Sequence, residues 1–207
     1  YVAHALKNDL NKIDWCVALL DERLPENREL QIIRGSVDHL RALLQRTRMH
    51  TGRVVLSPGD CNVRALFEQI IRETPHTDAL RIEIDRCDDA PLYCDPSHVR
   101  EALTNLVGNA VEAMRGSGRI TLSYVRTARK ASVSVCDDGP GMSLAAQKRI
   151  FEPYYTTKTS GENFGLGLYY CQNVMNVHEG SIRVSSAPGK GCAFTLIFPL
   201  AAQGRRK

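Results

Sequence analysis

An aspartate followed by two glycines, at Asp137, Gly139 and Gly141, could recognise a nucleotide base. A carboxylate accepts a hydrogen bond from an exocyclic amine, and glycine lets the backbone lie close to a flat ring. Taken alone, the run favours an ordinary turn, because Asp-Gly and Gly-Pro steps are common in turns. It follows the alternating residues 132–136, however, which predict a strand. An aspartate at a strand end, in order with the sites below, predicts a nucleotide pocket.

Two asparagines four residues apart, Asn105 and Asn109, could hold the metal ion that accompanies a nucleotide. They lie in residues 101–114, where apolar residues recur at helical spacing, so both side chains share one helix face. Amide oxygens one turn apart can bind Mg²⁺ and the phosphates that it bridges, while the ion keeps several waters. Two solvated asparagines are the alternative, but asparagine is a poor helix former and a pair in one helix suggests a function.

Glycines at the start of a predicted helix, Gly165 and Gly167, could leave backbone N–H groups open to phosphate. Lys158, in the polar loop before them, could add a positive charge, although a lysine in a loop is more often simply solvated. A second glycine pair, Gly189 and Gly191, precedes an alternating run that predicts a strand. A hairpin turn and a ligand contact both stay open for that pair.

The order of these sites, with Phe151 and the Thr-Thr-Lys that ends at Lys158, resembles the N, G1, F, G2 and G3 boxes of the sensor histidine kinases. The resemblance implies an α+β protein whose ATP-binding domain is an α/β sandwich of the Bergerat or GHKL type. Its mixed sheet would be covered on one face by helices. Residues 141–164 would form a mobile lid over the phosphates.

The same resemblance implies ATP and Mg²⁺ as cofactors and gives each site residue a role. Asp137, with Gly139 and Gly141, would bind adenine. Asn105 and Asn109 would hold the Mg²⁺-triphosphate, with Asn109 as the metal ligand and Asn105 also among the catalytic residues. The phosphates would lie against Lys158 and the backbone of Gly165, Leu166, Gly167 and Leu168.

The first fifty residues carry two runs of apolar residues at heptad spacing, separated by Pro25. Each run predicts a helix with one apolar stripe, and a hairpin of two such helices cannot cover itself well. Two hairpins from two chains should therefore pair as a four-helix bundle, which predicts a homodimer. The stripes consist of Leu6, Leu10, Ile13, Val17, Leu20 and Leu24, then Leu30, Ile33, Val37, Leu40 and Leu44.

His4 opens this hairpin, on the flank of the first apolar stripe. Residues 4–10 resemble the phosphoacceptor box of histidine kinases, which implies that the neutral imidazole of His4 attacks the γ-phosphate of ATP. Asn8, one turn further, would orient water against the aspartyl phosphate of a response regulator receiver domain, so a phosphatase activity is also expected. The box departs from its family at Ala5, where an acid/base carboxylate is usual, and at Asp9, where proline is usual.

Length and composition fit two domains, a dimerisation and histidine phosphotransfer hairpin at 1–52 and an ATP-binding catalytic domain at 60–201. A net charge of +4 is too modest to indicate nucleic-acid binding. No run is long and apolar enough to span a membrane, and seven scattered cysteines fit a reducing cytoplasm. Because the chain begins at Tyr1, we expect a sensor domain to precede it in the full-length protein, which a membrane could anchor.

Two other functions stay open from the sequence. A gyrase- or chaperone-type GHKL ATPase would share the pocket, but such enzymes use a water-activating glutamate at the position of Asn105 and lack the histidine hairpin. An ATP-binding dimeric scaffold, or a weak kinase, is harder to exclude because Ala5 removes the usual acid/base.

Overall fold

The structure, a computed structural model, describes residues 56–75, 78–156 and 165–200, together with nine positions between 12 and 37. The chain divides into two compact units, Tyr1–Arg53 and Val54–Lys207. This division lies close to the boundary expected between residues 52 and 60, while the function of each part stays a prediction. Along the described residues, no helix combines the length and the apolar character that crossing a bilayer would need.

In the first unit, the described positions of both apolar stripes are helical. Three of these six residues are buried and three are 43–44% exposed, in the alternating order Ile13 exposed, Val17 buried, Leu20 exposed, Leu30 buried, Ile33 exposed and Val37 buried. His4, Asn8 and the ends of both predicted helices lie outside the described residues. The hairpin and its four-helix bundle therefore stay predictions.

In the second unit, the described strands form two sheets. A small antiparallel sheet pairs β1 (Gly59–Cys61) with β3 (Leu92–Cys94). A large sheet contains β2 (Leu80–Cys87), β4 (Gly118–Arg126), β5 (Lys130–Asp137), β6 (Ser181–Ser186) and β7 (Cys192–Pro199). Its order is β2-β4-β5-β7-β6; β2 runs parallel to β4, and the other neighbours are antiparallel. The sheet is mixed, as the resemblance implied.

The described helices of the same unit are α1 (Val63–Glu73), α2 (Pro96–Ala113), α3 (Leu144–Arg149) and α4 (Gly167–Val177). Of these, α1, α2 and α4 cover one face of the large sheet, whereas α3 buries no side chain. Alternate side chains of β4, β5 and β7 are buried, as the two-residue period of a strand requires. They form one core with the buried side chains of α1, α2 and α4. The predicted α/β sandwich, a mixed sheet with helices packed on one face, is thereby confirmed.

The helix starts differ in how their first N–H groups are satisfied. Side chains cap three helices, since Asn62, Asp95 and Ser143 accept hydrogen bonds from the first turns of α1, α2 and α3. α4 begins after Leu166, whose side chain makes no capping hydrogen bond. Within the described residues, α4 therefore has no N-cap side chain to accept its first N–H groups, unlike the other three helices.

Asp95 also fixes the start of α2 to the end of α4. It is only 5% exposed, and its Oδ2 accepts a hydrogen bond from Ser57 N (2.7 Å). Its own N–H donates to His178 Nε2 (3.0 Å), while His178 Nδ1 bonds to Val174 O (2.7 Å). Burial acts to raise the pKa of Asp95, but the backbone N–H donors outweigh it and the pKa is lowered. α2 is thus held in place at the end opposite its asparagines.

Candidate functional site

Asp137 is the last residue of β5 and is half-buried. Its Oδ1 accepts a hydrogen bond from Gly139 N (2.9 Å). Burial raises the pKa of this carboxyl, while the backbone N–H groups of Gly139 and Cys192 act to lower it. The hydrogen bond from Gly139 N leaves acceptor positions on the carboxylate unused, because a carboxylate has about four. The side chain therefore keeps acceptor positions for a ligand donor, while its binding of an exocyclic amine stays a prediction.

The glycine pair before β7 contacts the segment after Asp137. Gly191 N donates to Gly139 O (3.0 Å), and Gly189 N donates to Pro140 O (2.7 Å). Of the two interpretations left open by the sequence, the structure supports the turn. Gly189 and Gly191 lie between β6 and β7 and extend the pairing of β5 with β7 past the strand ends.

Gly141 lies where only glycine fits. Its φ is +67°, a backbone conformation that side chains disfavour. A Cβ at this position would lie 2.0 Å from Ala187 O. The second glycine of the Asp-x-Gly-x-Gly run is thus required by close approach of two backbones.

Asn105 and Asn109 lie on one face of α2, as predicted. Asn105 Nδ2 donates to Glu101 O (3.0 Å), which fixes the orientation of the amide. Its Oδ1 is 3.1 Å from the place that a Cβ on Gly167 would occupy, so this oxygen lies close to the start of α4. Asn109 is half-buried. One amide beside the start of α4, with a second amide one turn along the same face of α2, forms a ligand set that suits Mg²⁺ and phosphate oxygens.

The described residues on either side of positions 157–164 are hydrogen-bonded to each other. Tyr154 N donates to Gly165 O (3.1 Å). Gly165 has a φ of +65°, and a Cβ there would lie 2.4 Å from Tyr155 O. Lys158 and the rest of residues 157–164 lie outside the described residues. Of the backbone predicted to bind phosphate, at Gly165, Leu166, Gly167 and Leu168, the structure places Gly167 beside Asn105.

The first part of the predicted lid is well packed. Residues 141–156 include α3, and Phe151 meets Phe194 of β7 edge to face, with ring centroids 6.5 Å apart. Ile150 is buried in the same core. Residues 141–156 are thus packed against the core, and the rest of the predicted lid, residues 157–164, lies outside the described residues.

Two polar side chains that were not predicted from the sequence contact the segment after Asp137. They are Ser186, at the end of β6, and Gln147, in α3. No motif or spacing marks them, because both bond to backbone atoms that are distant in the sequence. A serine before a glycine-rich turn was the single available signal, and serine is common in turns.

Comparison with known proteins agrees with this geometry. Residues 94–202, more than half of the chain, match the family model of histidine kinase-, DNA gyrase B- and HSP90-like ATPases. The signal transduction histidine-protein kinase AtoS of Escherichia coli (strain K12) is 32% identical over 213 residues, which cover 99% of this chain and 35% of AtoS. The chain spans about a third to a half of the length of the curated relatives that it matches.

Two solved structures resemble the fold. Full-length ShkA in complex with AMPPNP has a TM-score of 0.85 at 24% identity, covering 99% of this chain and 46% of ShkA. The nucleotide-free catalytic domain of the histidine kinase ThkA has a TM-score of 0.60 at 26% identity, covering 70% of this chain and 98% of that domain. The chain therefore belongs to the family of histidine kinase-, DNA gyrase B- and HSP90-like ATPases, on the branch of the sensor histidine kinases.

Proposed function

We propose that this chain is the catalytic core of a sensor histidine kinase. It would use ATP to phosphorylate His4 and pass the phosphoryl group to an aspartate of a response regulator receiver domain. One observation carries the proposal: Asp137 is set to accept an exocyclic amine, and Asn105 lies beside the uncapped start of α4 in the same domain. A base and a triphosphate need these two kinds of site.

The residues of the domain divide the nucleotide between them. Asp137, with Gly139 and Gly141, binds adenine. The backbone of Gly165, Leu166, Gly167 and Leu168 binds the phosphates, with Lys158 as an added charge. Asn109 and Asn105 hold Mg²⁺, which when bound neutralises charge on the transferring phosphoryl group. ShkA, which shares the fold, was solved with the nucleotide analogue AMPPNP.

The phosphoryl transfer itself rests on His4. A neutral imidazole nitrogen attacks the γ-phosphorus, the bond to the ADP oxygen breaks, and the imidazole then sheds a proton. Ala5 offers no carboxylate to take that proton, so we expect a slow kinase whose rate rises about tenfold or more in Ala5→Glu. Asn8 serves a separate hydrolysis: it orients water against the aspartyl phosphate, the bond from the carboxylate to phosphorus breaks, and inorganic phosphate leaves, which gives a phosphatase activity.

The first unit would form a homodimer. Ile13, Leu20 and Ile33 occupy predicted stripe positions and are 43–44% exposed, which leaves apolar surface without cover in one chain. Pairing with a second copy as a four-helix bundle buries that surface. A sensor domain elsewhere in the full-length protein would supply the signal, and use of ATP with seven free cysteines favours the cytoplasm.

Incubation with γ-labelled ATP tests the proposal. Label that is acid-labile and alkali-stable identifies phosphohistidine, and it should vanish in His4→Gln while persisting in His39→Gln, a matched change in the same unit. Released phosphate without labelled protein would mean a GHKL ATPase. Neither product would mean an ATP-binding scaffold. Phosphatase activity is tested with Asn8→Ala, which should slow dephosphorylation of the regulator and leave His4 labelling intact.

A further inference from the structure

The segment 139–142, which follows Asp137, is hydrogen-bonded to the hydroxyl of Ser186. Ser186 Oγ accepts a hydrogen bond from Met142 N (2.8 Å). The same hydroxyl donates to Gly191 O (2.7 Å). One side chain at the end of β6 thus joins residues 139–142 to the turn between β6 and β7.

Gln147 reinforces the same junction from α3. Its Nε2 donates to Met142 O (3.1 Å) and to Ser186 O (2.9 Å). Both N–H bonds of the amide are used, and both acceptors are backbone carbonyls. Ser186 and Gln147 together make four hydrogen bonds to backbone atoms: two to Met142, one to Gly191 and one to Ser186 itself. Met142 and Ser186 are 44 residues apart in the sequence, so these bonds join two distant segments.

These four bonds bear directly on the base-binding carboxylate. The Asp137 carboxylate accepts a hydrogen bond from Gly139 N, which lies in one of the joined segments. Gly139 O in turn accepts a hydrogen bond from Gly191 N, which lies in the other segment. The spacing between the segments therefore fixes the orientation of the carboxylate. Gly141, at close approach to Ala187 O, shows how little room the junction leaves.

We propose that Ser186 and Gln147 are positioning residues for recognition of the nucleotide base. They act through residues 139–142 and Gly191 and hold the Asp137 carboxylate in the orientation that accepts the exocyclic amine. This rests on the proposed function, in which the domain binds ATP. Loss of Ser186 would leave the Met142 N–H and the Gly191 carbonyl without their partner, so the carboxylate would have to be reoriented at each binding event.

The expected signature is confined to binding of the base. Ser186→Ala should raise the Kd for ATP and for ADP by the same factor, about tenfold. The rate of His4 labelling at saturating ATP should not change, because the phosphate-binding backbone is untouched. Ser186→Thr keeps the hydroxyl and should restore the affinity to within about twofold of the parent.

The matched control lies on the strand of Asp137 itself. Ser134 is half-buried on β5, and its hydroxyl bonds to Thr195 Oγ1 (3.0 Å), on the sheet face away from the helix-covered core. Ser134→Ala removes a hydroxyl of the same kind and contacts none of residues 139–142. It should leave the Kd for ATP within about twofold.

Calorimetric titration of the full chain with ATP and with ADP decides the question. A rise in Kd for Ser186→Ala but not Ser134→Ala, with rescue by Ser186→Thr, supports the proposal. In Asp137→Asn the further effect of Ser186→Ala should nearly disappear, since both act on one contact. An unchanged Kd, or a lower melting temperature with normal affinity, overturns it.

A failure to fold is covered by a second variant. If Ser186→Ala does not fold, Gln147→Met removes two of the four bonds from a surface helix, and normal ATP affinity there overturns the proposal. If the parent chain itself binds no ATP, the proposed function fails together with this inference. If the parent binds ATP and the variants match it, only the inference fails.

Discussion

The two ends of the candidate site differ in how their backbone groups are satisfied. At the base end (Asp137, Gly139 and Gly141), the backbone is hydrogen-bonded to the Asp137 side chain and to the turn before β7. At the phosphate end (Asn105, Asn109 and Gly165 to Leu168), α4 starts without a side-chain cap. At the base end, backbone polar groups form hydrogen bonds within the protein, and the Asp137 carboxylate keeps acceptor positions for a ligand. The phosphate end leaves backbone N–H groups for a ligand. A base of fixed shape suits a rigid site, and phosphates that must move during transfer suit one that closes around them.

The largest effect is expected where the base end is tightest. Gly141→Ala should reduce the free energy of unfolding by about 3 kcal/mol or more, because its Cβ would lie 2.0 Å from Ala187 O at a φ of +67°. Gly189→Ala is the control, since its φ is +74° but nothing lies within 4 Å. It should cost about 1 kcal/mol. Chemical denaturation measures both, and equal losses would show that the close approach is unimportant.

Removing the charge at Asp137 should affect binding of the base. Asp137→Asn should weaken binding of ATP and ADP alike by about 1–3 kcal/mol, since one carboxylate oxygen is replaced by an NH₂ donor.

Adding a charge at Asn109 should affect binding of the metal. Asn109→Asp should sharply reduce His4 labelling and alter its Mg²⁺ dependence without unfolding the protein. Calorimetry with ATP and ADP over a range of Mg²⁺ concentrations checks both. Loss of ADP binding in Asn109→Asp at low Mg²⁺ would contradict the division of the site.

A smaller effect is expected at the contact between α2 and α4. In Gly167→Ala the new Cβ would lie 3.1 Å from Asn105 Oδ1, so this amide must move by a few tenths of an ångström. ATP affinity should fall by about 0.5–1 kcal/mol, with little change in stability. Gly108→Ala, in open space on α2, should instead raise the free energy of unfolding by about 0.5–1 kcal/mol and leave ATP affinity unchanged. Normal ATP binding in Gly167→Ala would mean that Asn105 is not confined there.

The smallest expected effect is a pH dependence at the far end of α4. Burial lowers the pKa of His178, which accepts a hydrogen bond from the Asp95 N–H and must be neutral at Nε2 to do so. The unfolded chain therefore takes up the proton first. The stability from this group is complete above its ordinary pKa of about 6.5 and is lost as pH falls from there through the lowered value.

Denaturation at several pH values, with His178→Gln and His39→Gln compared, measures this contribution. The acid loss should shrink in His178→Gln and persist in His39→Gln. An acid loss that is identical in both variants would assign it to other groups.

Much of the site was predictable because its signals are local. An alternating run before Asp137 predicted β5, and helical spacing predicted α2 with both asparagines on one face. The exception was the glycine pair at Gly189 and Gly191, whose turn and ligand interpretations looked alike in sequence. Pairing with Gly139 and Pro140, distant in the chain, decided between them.

The sequence by itself determined the kind of protein, the mixed-sheet ATP-binding domain and the residue types available for a base, phosphates and Mg²⁺. Period, glycine placement and motif order are properties of neighbouring residues, so they can be read along the chain. The tertiary structure alone decided which groups remain open to a ligand. Whether Asp137 keeps an acceptor, whether α4 starts uncapped and whether Ser186 and Gln147 join two segments all depend on partners brought together by folding.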